Sequence, residues 1–198
     1  MRVNPSEKTN HRTQSGLEVM MSTTDWIPLA TRIDLCDPGT ILEYGSGIST
    51  VAIADVLTEH PKHRLVSVEH DAEWYAHVNT LLENHPAREQ VRLIHAPLDF
   101  HPSIWRYAHP AEETGAGAAK YIHPLSHELG EWFDVRLAFV DGIARGPCLA
   151  TCWMSLEPGT PVFLHDYRGR EEWYDWALQA YERVELYDLM LELRVPSK

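Results

Sequence analysis

A chain of 198 residues with 44% hydrophobic and 23% charged residues suits one domain with a substantial core and is too short for two comfortable ones. Its 17 basic against 29 acidic residues give a formal net charge of -12, which repels phosphate backbones and anionic lipid and argues against nucleic acid or a membrane surface as partner. No apolar run approaches the ~20 residues of a membrane span, and the polar start MRVNPSEKTNHRTQSG lacks the apolar core of a signal peptide, so cytoplasmic residence is the expectation.

Residues 1–14 are expected to form a loosely held arm. LEVMMSTTDWIPLATRIDL (17–35) carries apolar residues at roughly helical spacing, with Pro28 at a break or a helix start. TILEY (40–44) predicts a short strand, and STVAIADVLTEH (49–60) a helix that Pro61 stops. RLVSVE (64–69) predicts the second strand. DAEWYAHVNTLLENH (71–85) predicts a helix capped by Asp71, and VRLIHA (91–96) the third strand. Residues 97–132 are far too long for an ordinary strand-to-helix connection and predict an insertion with one or two short helices. The alternation then resumes with FDVRLAFVDG, a helix over 144–156, TPVFLH, a helix in REEWYDWALQAY, and a closing antiparallel hairpin in ERVELYDLMLELRV. The three cysteines, Cys36, Cys148 and Cys152, do not form a disulfide framework and predict buried thiols.

Apolar strands alternating with helices imply a single α/β domain over 1–198: a doubly wound, mostly parallel Rossmann-like sheet with helices on both faces. Such sheets bind ligands outside the carboxyl ends of their strands, near the switch in strand order. That gathers Glu43 to Thr50, Glu69 and His70, Ala96 to Asp99, Asp141 and Gly142, and His165 to Tyr167 around one crevice.

The turn EYGSGIST lacks the lysine of a P-loop, and Thr50 stands at the third glycine position of a dinucleotide fingerprint. An acid, Glu43, precedes it, which suits a cationic or hydroxyl-rich ligand better than pyrophosphate. This pattern resembles the first motif of class I S-adenosylmethionine-dependent methyltransferases, matched by Glu43, Gly45 and Gly47 around Ser46. The resemblance implies that Glu43 adds negative potential beside the cofactor's cationic methionine part. In SVEHD, Glu69 matches the acid that bonds both ribose hydroxyls, with His70 beside the adenosine. Many members carry an acid after the third strand for the adenine amino group. Here HAPLDF offers Asp99 as the nearest carboxylate, with backbone groups of 96–98 as the alternative. With VDGIAR and FLHDY added, the chain resembles a bacterial subgroup of methyltransferase-like proteins and, more remotely, sugar-acid O-methyltransferases.

The resemblance implies methyl transfer from S-adenosylmethionine to an oxygen or nitrogen of a small molecule, with a sugar or sugar acid among the acceptors. His165 is the expected general base, with Asp141 or Asp166 orienting its ring. Arg145 is expected to hold an anionic acceptor or pair with these acids, while Trp105 and Tyr121 of the insertion offer flat faces to it. Catechol-type methyltransferases carry metal-binding carboxylates at these two strand ends, but Tyr167 stands where an amide ligand would follow, and no metal is expected. The pair His123 and His127 is interrupted by Pro124 and lacks a third ligand, so zinc is not expected either. Two alternatives remain: a nucleoside-binding scaffold without turnover, since no NPPY-type signature is present, and an NAD(P)-dependent oxidoreductase, against which Glu43 and Thr50 count.

Overall fold

The computed structural model describes residues 10–14, 16–98, 116–124 and 134–197. In chain order the elements are β1 (Asn10–Arg12), β2 (Glu18–Ser22), α1 (Thr23–Leu35), β3 (Thr40–Tyr44), α2 (Ile48–Leu57), β4 (Arg64–Glu69), α3 (Ala72–Leu82) and β5 (Val91–His95). They continue with α4 (Ala116–Ile122), β6 (Val135–Val140), α5 (Arg145–Ser155), β7 (Pro161–Leu164), α6 (Glu171–Leu178), β8 (Glu182–Leu186) and β9 (Leu191–Arg194).

Among the described residues the main sheet has seven strands in the order β5-β4-β3-β6-β7-β9-β8. The first five run parallel, and the closing hairpin of β8 and β9 is antiparallel, as expected. Period-two alternation assigns each strand's side chains to two separate cores. Leu42, Tyr44, Ala138, Val140, Val162 and Leu164 face α4, α5 and α6. Ile41, Leu137, Phe139 and Phe163 face α1, α2 and α3. Cys148 and Cys152 are buried in the first of these cores, and all three thiols are free.

The order reverses between β3 and β6, which opens the crevice at the ends of these two strands. No described helix is long and apolar enough to cross a membrane.

The N-terminal part departs from expectation. Residues 18–22, expected within a helix, form a strand antiparallel to Asn10–Arg12. Burial alternates along it, with Val19 and Met21 inward and Met20 outward. The helix begins only after Ser22, whose hydroxyl accepts from the Asp25 N–H at 3.2 Å. It continues through Pro28. Residues 10–14, read as part of a loose arm, are tied down, since the Gln14 N–H donates to Asp55 of α2 at 2.6 Å. Residues 1–9 lie outside the described residues. The β1–β2 ribbon explains why α2 is buried almost all round, because β2 packs on the helix face that the sheet leaves uncovered. Of the insertion 97–132, α4 is the described helix, and 99–115 and 125–132 lie outside the described residues.

Candidate functional site

The glycine turn closes β3 against β6. Gly45 sits at φ +93°, a conformation that glycine adopts without a side-chain penalty, and a Cβ there would strike the Gly142 backbone. The N–H groups of Asp141 and Gly142 both donate to the Tyr44 carbonyl, at 2.9 and 2.7 Å, locking the two strand ends together. Gly47 is different. Its backbone is extended and a Cβ would meet nothing closer than 3.6 Å, so the missing side chain leaves room rather than conformational freedom.

Glu43 does not have the place expected of it. Its carboxylate is wholly buried, outside the cavity lining, and accepts from Ser49 at 2.7 Å, Thr50 at 2.6 Å and Ser67 at 2.5 Å. Burial pushes its pKa up to about 7, against the opposing pull of the three hydroxyls. Thr50 in turn accepts from the Gly47 N–H at 2.8 Å. The residue that replaces the third glycine is thus the link by which Glu43 shapes the turn. The acid braces the loop from behind instead of facing a ligand.

In front of the turn lies a cavity of about 730 Å³, within the span of roughly 300–1,000 Å³ usual for small-molecule sites. Gly45 to Ser49, the residues after β4 and those after β6 form its base. Glu69 lines it, with Oε1 accepting from the N–H groups of His70 and Asp71 at 2.8 Å each. His70 Nδ1 stands 2.7 Å from the same oxygen but out of hydrogen-bonding alignment. Asp71 caps α3 as expected, accepting from the Trp74 N–H. Trp74 donates from Nε1 to the Ser46 carbonyl at 2.6 Å and clamps the turn against α3. One side of the cavity is built by Val19, Met20 and Met21 of β2.

At the far strand ends, His165 Nδ1 lies 2.9 Å from Asp141 Oδ1. Burial pulls the imidazole down, but the hydrogen bond and charge of Asp141, with Asp166, outweigh it and raise its pKa above the ordinary value. His165 Nε2 points inward, 4.0 Å from the buried carboxylate of Asp25. Asp25 itself accepts from the N–H groups of Asp188, Leu189 and Met190 in the β8–β9 turn. His165 therefore does not line the cavity, whereas Asp141 does. Burial raises the Asp166 carboxyl, but Arg145, His165 and Arg170 together hold it below the usual range.

Arg145 borders the cavity but is largely committed within the protein. Its guanidinium donates to the carbonyls of Gly142, His165 and Asp141 and to Asp166. Ligand-capable atoms of Asp141, His165 and Asp166 lie within 4.8 Å of one another, a spacing that could hold a metal ion. Arg145 already brings a positive charge against both acids, 3.3 Å from each.

Tyr121, expected to offer an open face, is wholly buried. It packs against Tyr44 and edge-on to His70, and its hydroxyl abuts Gly142, because α4 turns this ring into the apolar face of the sheet. Tyr167 lies apart from the cluster, donating to Asp175. Asp99, Trp105 and His127 lie outside the described residues. Sequence reasoning missed Asp25, Trp74 and the β2 wall. Trp74, one turn into a helix capped by Asp71, was open to detection. The alternation in β2 was masked by three consecutive apolar residues.

A family described as a methyltransferase domain matches residues 42–167. A methyltransferase-like protein from Silicibacter pomeroyi is similar in structure at a TM-score of 0.71 and 22% identity, over 90% of this chain and 88% of that one. A SAM-dependent O-methyltransferase from Thermotoga maritima is similar at 0.60 and 14% identity, over 93% and 69%. An RNA methyltransferase from Salinibacter ruber, in complex with S-adenosyl-L-homocysteine, is similar at 0.51 and 15% identity, over 86% and 92%. At these identities the likeness establishes the fold. No curated protein matches the sequence.

Proposed function

This chain belongs to the methyltransferase-domain family, and from that premise we propose that it transfers a methyl group from S-adenosylmethionine to an oxygen or nitrogen of a small acceptor. The observation that carries the reading is the cavity bounded by the Gly45–Gly47 turn, Glu69 and Gly142 at the reversal of strand order. The residues present fit the cofactor. Gly47 leaves a cradle that a side chain would narrow, and Glu69 brings a carboxylate, an acceptor suited to a ribose diol, to the cavity from the end of β4.

Bound S-adenosylmethionine supplies a methyl group already activated by its sulfonium. The chain's task is to align the acceptor and exclude water, with a base needed for a hydroxyl. In the proposed mechanism Asp141 takes that proton, because its carboxylate borders the cavity. His165 and Arg145 hold it in place from behind. His165 is then a positioning residue and not the base. Calorimetric titration with S-adenosylhomocysteine, S-adenosylmethionine and NAD tests the reading. Binding of the first two but not of NAD is expected, and binding of NAD alone would overturn it.

A further inference from the structure

Met20 is 82% exposed, yet it borders the cavity. Its neighbours Val19 and Met21 are buried in the core beside α2, and Gln14 is bonded to Asp55, so the ribbon that carries Met20 is anchored. An anchored strand that leaves a large apolar side chain exposed beside a cavity presents an apolar surface that the described residues do not cover. Methionine's unbranched thioether adapts readily to an apolar ligand face. Ile48 and Ile143 extend that surface along the same cavity.

The charges of the cavity are lopsided. Glu69, Asp71, Glu73 and Asp141 line it, and the guanidinium of Arg145 is already bonded to three carbonyls and to Asp166. Among the described cavity residues, an anionic acceptor therefore meets four carboxylates and an arginine with four of its five N–H groups already bonded within the protein.

We propose that β2 is the acceptor-side wall of the cavity, that Met20 determines specificity, and that the acceptor is a neutral or cationic molecule with an apolar face. This rests on the cofactor reading for the word acceptor, but the wall itself can be probed without cofactor. N-phenylnaphthylamine is apolar and uncharged, and anilinonaphthalenesulfonate is the same body with a sulfonate. Fluorescence titrations of both into the protein, with and without S-adenosylhomocysteine, separate shape from charge. The amine is expected to bind at least about tenfold more tightly than the sulfonate. Met20→Asp is expected to weaken the amine by about tenfold, whereas Met154→Asp, at an exposed methionine on α5, leaves it unchanged. Calorimetry with S-adenosylhomocysteine should give the same affinity for Met20→Asp as for the unaltered protein. Equal binding of the amine to Met20→Asp and unaltered protein would overturn the assignment of the wall. Equal binding of amine and sulfonate would overturn the acceptor class. Failure of the unaltered protein to bind S-adenosylhomocysteine would instead overturn the cofactor reading, and the cofactor-free titrations would still decide the wall.

Discussion

Nδ1 of His165 lies 2.9 Å from Oδ1 of Asp141, while Nε2 of the same ring faces the buried carboxylate of Asp25. The hydrogen bond to Asp141 holds the imidazole, the Asp25 carboxylate lies 4.0 Å from its other nitrogen, and only Asp141 of the three borders the cavity.

The division of labour is testable on any acceptor found by screening. Asp141→Asn should lower kcat by about a hundredfold or more, as expected on losing a general base, and leave S-adenosylhomocysteine affinity intact. His165→Ala should cost less, about tenfold, because it only loosens the carboxylate. Chelator should not change either activity, since Arg145 already pairs with both acids of this cluster. Full activity in Asp141→Asn with none in His165→Ala would return the base role to His165.

Two glycines of one turn should fail in different ways. Gly45→Ala adds a side chain at positive φ against the Gly142 backbone and should destabilise the fold, by at least about 2 kcal/mol in urea denaturation. Gly47→Val meets ordinary spacing and should fold, but it should lose S-adenosylhomocysteine binding. A stable Gly45→Ala would contradict the strand-end contact described for β3 and β6.

The fold was largely legible because parallel strands buried on both faces read as short apolar runs, as in TILEY and VRLAFV. The location of the site followed from topology. The direction of each side chain did not. Glu43 lies on the predicted strand, but its partner Ser67 arrives on a different strand, and that hydroxyl with two from α2 makes the acid a brace behind the turn. Asp25 comes within 4.0 Å of His165 from near the other end of the chain, a proximity without a local signature.

Glu43 should make stability pH-dependent. Its folded pKa, about 7, lies above the unfolded value of 4.5, so its contribution is fully present below the unfolded value. It is lost as pH rises toward the folded value, with a total loss on the order of 3 kcal/mol. Glu43→Gln should remove that slope. Urea denaturation of both proteins from about pH 4 to about pH 8 checks the sign. Parallel profiles would show that Glu43 does not titrate in this window.

A nucleoside-bearing cofactor seated against Gly47 and Glu69 is tested most directly by calorimetric titration with S-adenosylhomocysteine. One site per chain is expected in the unaltered protein. Glu69→Gln should weaken binding by at least about tenfold, since only one of its two polar atoms still accepts. Gly47→Val should abolish it while the thermal transition of the free protein is retained. No binding in the unaltered protein, or equal binding in all three, would contradict this seating of the cofactor.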